Sequence, residues 1–121
     1  MSQPDPCSQE MIAKIRNDLA EAAQLLRSAS HLEPAEQETL ADLLEELQAE
    51  LDPAQYHSAH VANLAGIVAR LGQGLHQQQH RGILSGLRSR LVEAVGRADA
   101  EAPVLAGVVR KFIDALASIG I

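Results

Sequence analysis

Histidine is the residue type in this chain whose spacing could support chemistry. His57 and His60 are three residues apart, and His76 and His80 are four residues apart. Within a helix, both spacings place two imidazoles on the same side, as a metal site requires. The sequence therefore predicts a metal-binding protein as one alternative. The competing interpretation is that these four are ordinary histidines near helix ends.

The number of available ligands argues against a complete metal site in one chain. Zinc takes three or four protein ligands, and no nearby Cys or carboxylate completes either histidine pair. Two helices joined by a short turn run antiparallel, which would place the pairs at opposite ends. We therefore expect no bound cofactor, and a four-histidine site would have to form across a dimer interface.

Other catalytic groups are not arranged in any recognisable way. Cys7 is the only cysteine, so neither a disulfide nor a cysteine metal site is available within the chain. No serine lies in a nucleophile elbow, and there is no glycine-rich phosphate loop. The paired carboxylates at Glu45 and Glu46 belong to a run of charge. We expect that the protein is not an enzyme, with a small-molecule-binding or enzymatic pocket between the third and fourth helices as a further alternative.

Helical periodicity predicts the elements that would position these side chains. Apolar residues recur at steps of three and four, as in Leu40, Leu44 and Leu47, which is typical of one face of a helix. We predict a single domain over residues 1–121, an all-α bundle of four to five helices. The predicted helices are Ser8–Ser28, Pro34–Leu51, Pro53–Leu71, Ile83–Ala100 and one that begins at Pro103.

The segments between these helices carry further predictions. Asp52 is expected to cap the third helix, with Gln55 reaching back to complete a capping box. Residues 72–82 are polar and flanked by glycine, which fits either a loop or a frayed first turn. Residues 1–7 are expected to be flexible, and Ile121 to pack against the core.

Composition limits the class of partner. Aromatic residues make up only 2% of the chain, so its core is built from aliphatic residues and is expected to gain stability by self-association as a dimer. A net charge of -6 disfavours nucleic acid and anionic membranes. The N-terminal segment lacks the features of a signal peptide, and the longest apolar run is too short to span a bilayer. These features predict a cytoplasmic protein.

Charge is strongly segregated along the chain. Residues 31–52 hold eight acidic residues and no Lys or Arg, whereas residues 70–97 hold five arginines against Glu93 alone. The acidic second helix could lie along the basic fourth helix within the chain, or the two could meet between protomers. They could equally be two unrelated solvated faces. The second helix is also a candidate surface for another protein partner.

Two segments resemble a known family. One runs from Leu32-Glu33-Pro34-Ala35-Glu36-Gln37-Glu38 to Leu47, an acidic turn followed by a leucine-spaced helix. The other runs from Ala102-Pro103-Val104-Leu105 to Leu116-Ala117-Ser118-Ile119-Gly120-Ile121 and is similar to an ending of the form His-Pro-x-Leu, a helix, then Leu-Ala-x-Met-Gly-Ile. Together they resemble the short bacterial proteins catalogued as domain of unknown function four-four-zero-four.

The resemblance implies a helical fold and no established activity. Ala102 stands where the family usually has His, and Ile119 where it usually has Met. Residues 52–85 look like an insertion relative to the family. The leading functional hypothesis is therefore a non-enzymatic interaction or scaffold module that self-associates.

Overall fold

The predicted all-α bundle is confirmed, and it has five helices. The computed structural model describes residues 6–56, 58–78 and 80–121, with only the backbone for residues 6–8. Its helices are α1 (Pro6–Arg27), α2 (Pro34–Glu50), α3 (Ala59–His76), α4 (Arg81–Ala98) and α5 (Pro103–Ser118). Most of the segment predicted to be flexible, residues 1–5, lies outside the described residues, and residues 6 and 7 belong to the first turn of α1.

The helices pack side by side as a closed ring in the order α1, α2, α5, α4, α3. Neighbours that follow one another in the chain are antiparallel: Arg16 Nε of α1 donates to Gln48 O of α2 at 3.2 Å, whereas Arg27 near the other end of α1 reaches Asp42. In contrast, α1 and α3 are parallel, since Ile15 lies beside Gly66 and, further along both helices, Ala22 lies beside Gly72. α5 separates α2 from α4. The alternative in which the second helix lies along the fourth within the chain is therefore wrong.

The predicted leucine stripes form one shared core. Leu19, Leu44, Leu64, Leu91 and Phe112 are all fully buried. Burial of such side chains contributes about 1.5–3 kcal/mol each, which is the main driving force for a small helical domain.

The end of the described chain is also packed, as predicted. Ile121 lies partly buried against the core. Gly120 has a left-handed φ of 86°, and Ile121 N donates to Leu116 O at 3.0 Å while Gly120 N donates to Ala117 O at 3.1 Å. These paired hydrogen bonds are a Schellman motif, which requires a residue that tolerates positive φ. The Gly-Ile ending thus closes α5 and turns the last side chain inward.

The predicted start of the third helix at Pro53 is wrong. Asp52 Oδ1 accepts from Ala54 N at 2.9 Å, and Asp52 O accepts from Tyr56 N at 2.8 Å, so Asp52 organises a single isolated turn. α3 begins six residues later, where Ser58 Oγ accepts from His60 N at 3.1 Å. Ser58, and not Asp52, is the N-cap, and the capping box with Gln55 does not form.

Residues 72–82, which fitted either a loop or a frayed first turn of the fourth helix, are mostly helix. α3 continues through Gly72 and Gly74, both buried, to His76. α4 begins at Arg81, one residue after His80, whose Nδ1 accepts from Gly82 N at 3.0 Å. The connection between the two helices is therefore residues 77–80. Among the described helices, none is long and apolar enough to cross a bilayer.

The revised start of α3 leads to a prediction. Ser58→Ala should destabilise the protein by about 1 kcal/mol, because it removes the acceptor for a backbone N–H at the start of α3. Asp52→Ala should cost less, because its turn is exposed and is not continued as a helix. Urea unfolding followed by circular dichroism measures both, and a larger cost for Asp52→Ala would contradict this assignment of the cap.

Candidate interaction faces

The structure separates the histidines predicted to bind metal. His60 lies in the first turn of α3 and is exposed, with Nδ1 3.4 Å from Glu101 Oε1. His76 ends the same helix, and its Nδ1 is buried without a hydrogen-bond partner in the described part of the chain. Sixteen residues of helix place them about 24 Å apart. His57 lies outside the described residues.

The described structure does not bury His60 or His80. Both side chains are exposed, because His60 lies in the first turn of α3 and His80 precedes α4, where the apolar stripes end. Among the described residues, no group of three or more His, Cys, Asp or Glu side chains could hold a metal ion. His60 cannot share a site with His76 or His80 in one chain. Metal binding by these residues stays a prediction that needs two chains.

The outer surface of α2 is an acidic face, as predicted. Its members are the exposed residues Glu38, Asp42, Glu45, Glu46 and Glu50. Arg27 of α1 lies 2.8 Å from Asp42 Oδ1 and 3.0 Å from Glu45 Oε1. The hydrogen bond to Asp42, and next that to Glu45, raises the pKa of Arg27. In the described structure, Glu38, Glu46 and Glu50 form no ion pair.

Arginines from two helices converge on a groove between α3 and α4, which we call the arginine groove. Its volume is ≈ 350 Å³. It is lined by Asn63, Ile67, Arg70, Arg90, Glu93, Ala94 and Arg97. The three guanidinium groups are exposed and form no ion pair with any described residue. Ile67 and Ala94 are buried beneath these side chains, so the exposed lining of the groove is mainly polar.

The arginine groove occupies the position predicted for a pocket between the third and fourth helices. Its walls are exposed charged side chains, so it resembles a docking surface more than an enclosed ligand site. A second groove of about 380 Å³ adjoins it between α1 and α3 and shares Asn63, Ile67 and Arg70. Arg70 thus stands on the ridge between two open grooves.

Sequence reasoning missed two features of these faces. Arg27 neutralises part of the acidic face. The sequence could have indicated this, because Arg27 lies at the end of α1 and a short turn joins α1 to α2. Arg70 acts with the arginines of α4 although it belongs to α3. That grouping depends on the antiparallel contact of the two helices, which brings Arg70 opposite Arg90.

Comparison with known proteins supports the resemblance seen in the sequence. The family model described as Domain of unknown function (DUF4404) matches residues 37–121, which is 85 of the 121 residues. The match covers most of α2 and all of α3, α4 and α5, and it leaves out α1. The predicted insertion over residues 52–85 stays a prediction. No curated protein and no solved structure matches this chain. The chain belongs to the DUF4404 family.

Proposed function

We propose that this protein is a non-enzymatic helical module that self-associates, with a dimer as its smallest assembly. One observation carries the proposal: no ion pair in the described structure joins the acidic face of α2 to the arginine groove between α3 and α4. Neither face can neutralise the other within the chain. Two copies can bring them together, which neutralises like charges that otherwise repel one another on each face.

Exposed apolar side chains add area that association would bury. Met11, Ile83, Val92 and Val104 are each at least half exposed. Single exposed apolar residues are common, so they do not define an interface by themselves. In an assembly that buried any of them, they would supply the non-directional part of the binding energy, while the charges would set orientation and the rate of encounter.

The other functional classes have less support. The described residues that line the arginine groove include no Ser, Cys or His that could act as a nucleophile or base. The net charge of -6 opposes binding to nucleic acid or to an anionic membrane. A single cysteine is compatible with a reducing compartment, so we propose a cytoplasmic location.

The proposal predicts association that weakens with salt. Sedimentation velocity and light scattering over about 10–500 μM protein should show a rising mean mass at about 50 mM salt. At about 500 mM the rise should be smaller, because the screening length falls from more than 10 Å to below 5 Å. A strict monomer over the full range at low salt would overturn the proposal.

A further inference from the structure

We infer that the acidic face of one copy docks into the arginine groove of a second copy. This inference rests on the proposed function and goes further by naming both surfaces. Three acidic residues of α2, Glu38, Glu46 and Glu50, lack an ion pair in the described chain. The guanidinium groups of Arg70, Arg90 and Arg97 in the groove also form no ion pair with any described residue. Three arginines against Glu93 leave the groove with an excess of two positive charges, which would face three unpaired carboxylates.

The spacing of the charges also agrees. Glu38 and Glu46 are eight residues apart on α2, a rise of about 12 Å, and Arg90 and Arg97 are seven apart on α4, a rise of about 10.5 Å. Arg70 approaches the same groove from α3. Long flexible side chains absorb a difference of this size, and guanidinium groups suit carboxylates because they can form paired hydrogen bonds.

The two surfaces also carry apolar side chains beside their charged residues. Ala49 is exposed on α2 between Glu46 and Glu50, so a small apolar side chain accompanies the carboxylates. The floor of the arginine groove is formed by the buried residues Ile67 and Ala94. The contact is therefore predominantly one between charged groups, with Ala49 adding a small apolar area.

Ring order determines the kind of assembly. The neighbours of α2 in the ring are α1 and α5, whereas the groove lies between the two remaining helices. The two surfaces therefore face different directions, and contact between them is head to tail. A dimer of this kind leaves one acidic face and one groove unfilled. Further copies must add until the chain of molecules closes into a ring or grows as a filament.

Charge exchange between two variants tests the inference. The first variant is Glu38→Lys/Glu46→Lys/Glu50→Lys, and the second is Arg70→Glu/Arg90→Glu/Arg97→Glu. Each alone should associate at least about tenfold more weakly than the native protein, because three attractive pairs become repulsive. An equimolar mixture should recover association, because each lysine-bearing α2 meets a glutamate-bearing groove. All changed residues are exposed, and circular dichroism checks that both variants remain helical.

Matched controls separate this inference from the broader proposal. Arg97→Glu should weaken association, whereas Lys111→Glu on α5 changes the net charge equally and should not. If the native protein associates but neither triple variant is impaired, the docking surfaces are wrong and the proposed self-association stands. If the arginine variant loses binding of inorganic phosphate, measured by NMR, without weaker association, the groove is a small-anion site and the inference is overturned. A native protein that stays monomeric overturns both.

Discussion

Phe112→Ala is expected to destabilise the protein by about 4 kcal/mol. Phe112 is the only phenylalanine and the largest of the fully buried side chains, with 1% of its surface exposed. Truncation removes the transfer free energy of the ring and leaves a cavity that aliphatic neighbours fill only in part. Single domains are stable by about 5–15 kcal/mol, so this one change would remove a large share of the free energy of unfolding. Urea unfolding measures the effect.

Two variants of the same helix control this experiment. Val104 is 56% exposed, so Val104→Ala should change the free energy of unfolding by less than about 0.5 kcal/mol. Phe112→Leu keeps most of the apolar volume and should cost about 1.5 kcal/mol or less. Equal effects of Phe112→Ala and Val104→Ala would show that α5 does not pack as described.

The helical architecture was predictable because the apolar residues that recur on one face of a helix are the residues that the folded protein buries. The stripe Leu40, Leu44 and Leu47 repeats at the period of a helix, and all three side chains are buried. Long patterns of this kind average over many residues, so a few polar interruptions do not disturb them.

Helix ends were harder to predict because each depends on a few local hydrogen bonds. Asp52 and Ser58 are both favoured N-cap residues, and Asp52 precedes a proline, which is a strong start signal. The chain nevertheless uses Asp52 for a turn and Ser58 for the cap. Nothing in the local sequence shows which of these two candidate N-cap residues, six positions apart, begins the helix.

For the two candidate interaction faces, the sequence predicted the charge of each segment but not where the segments lie relative to each other. Counting charges identified the acidic second helix and the arginine-rich segment, but it could not identify their neighbours. Those depend on ring order, which places α5 between α2 and α4 and brings Arg70 beside Arg90. Long-range order of this kind is set by the fit of whole helix faces, which no local pattern encodes.

Gly72→Val should destabilise the protein by about 2–3 kcal/mol. A Cβ atom at position 72 would lie 3.1 Å from Ala22 Cβ and 3.2 Å from Leu44 Cδ1. Three helices meet at this point, so valine would force apart α1, α2 and α3, and overpacking of this kind costs about 1–3 kcal/mol. The absence of a side chain explains why glycine, a poor helix former, occupies a position inside α3 for which the sequence fitted either a loop or a frayed helix turn. Urea unfolding followed by circular dichroism measures the cost.

Gly86 provides the matched control, because a Cβ atom there would meet nothing within 4 Å. Gly86→Ala on the exposed side of α4 should stabilise the protein by about 0.5–1 kcal/mol, since alanine loses less backbone freedom on folding. Gly72→Ala has the same gain but adds the close contact with Ala22, so the Gly72→Ala variant should be less stable than the Gly86→Ala variant. If the two alanine variants gained equal stability, the close approach of α1 and α3 would be absent.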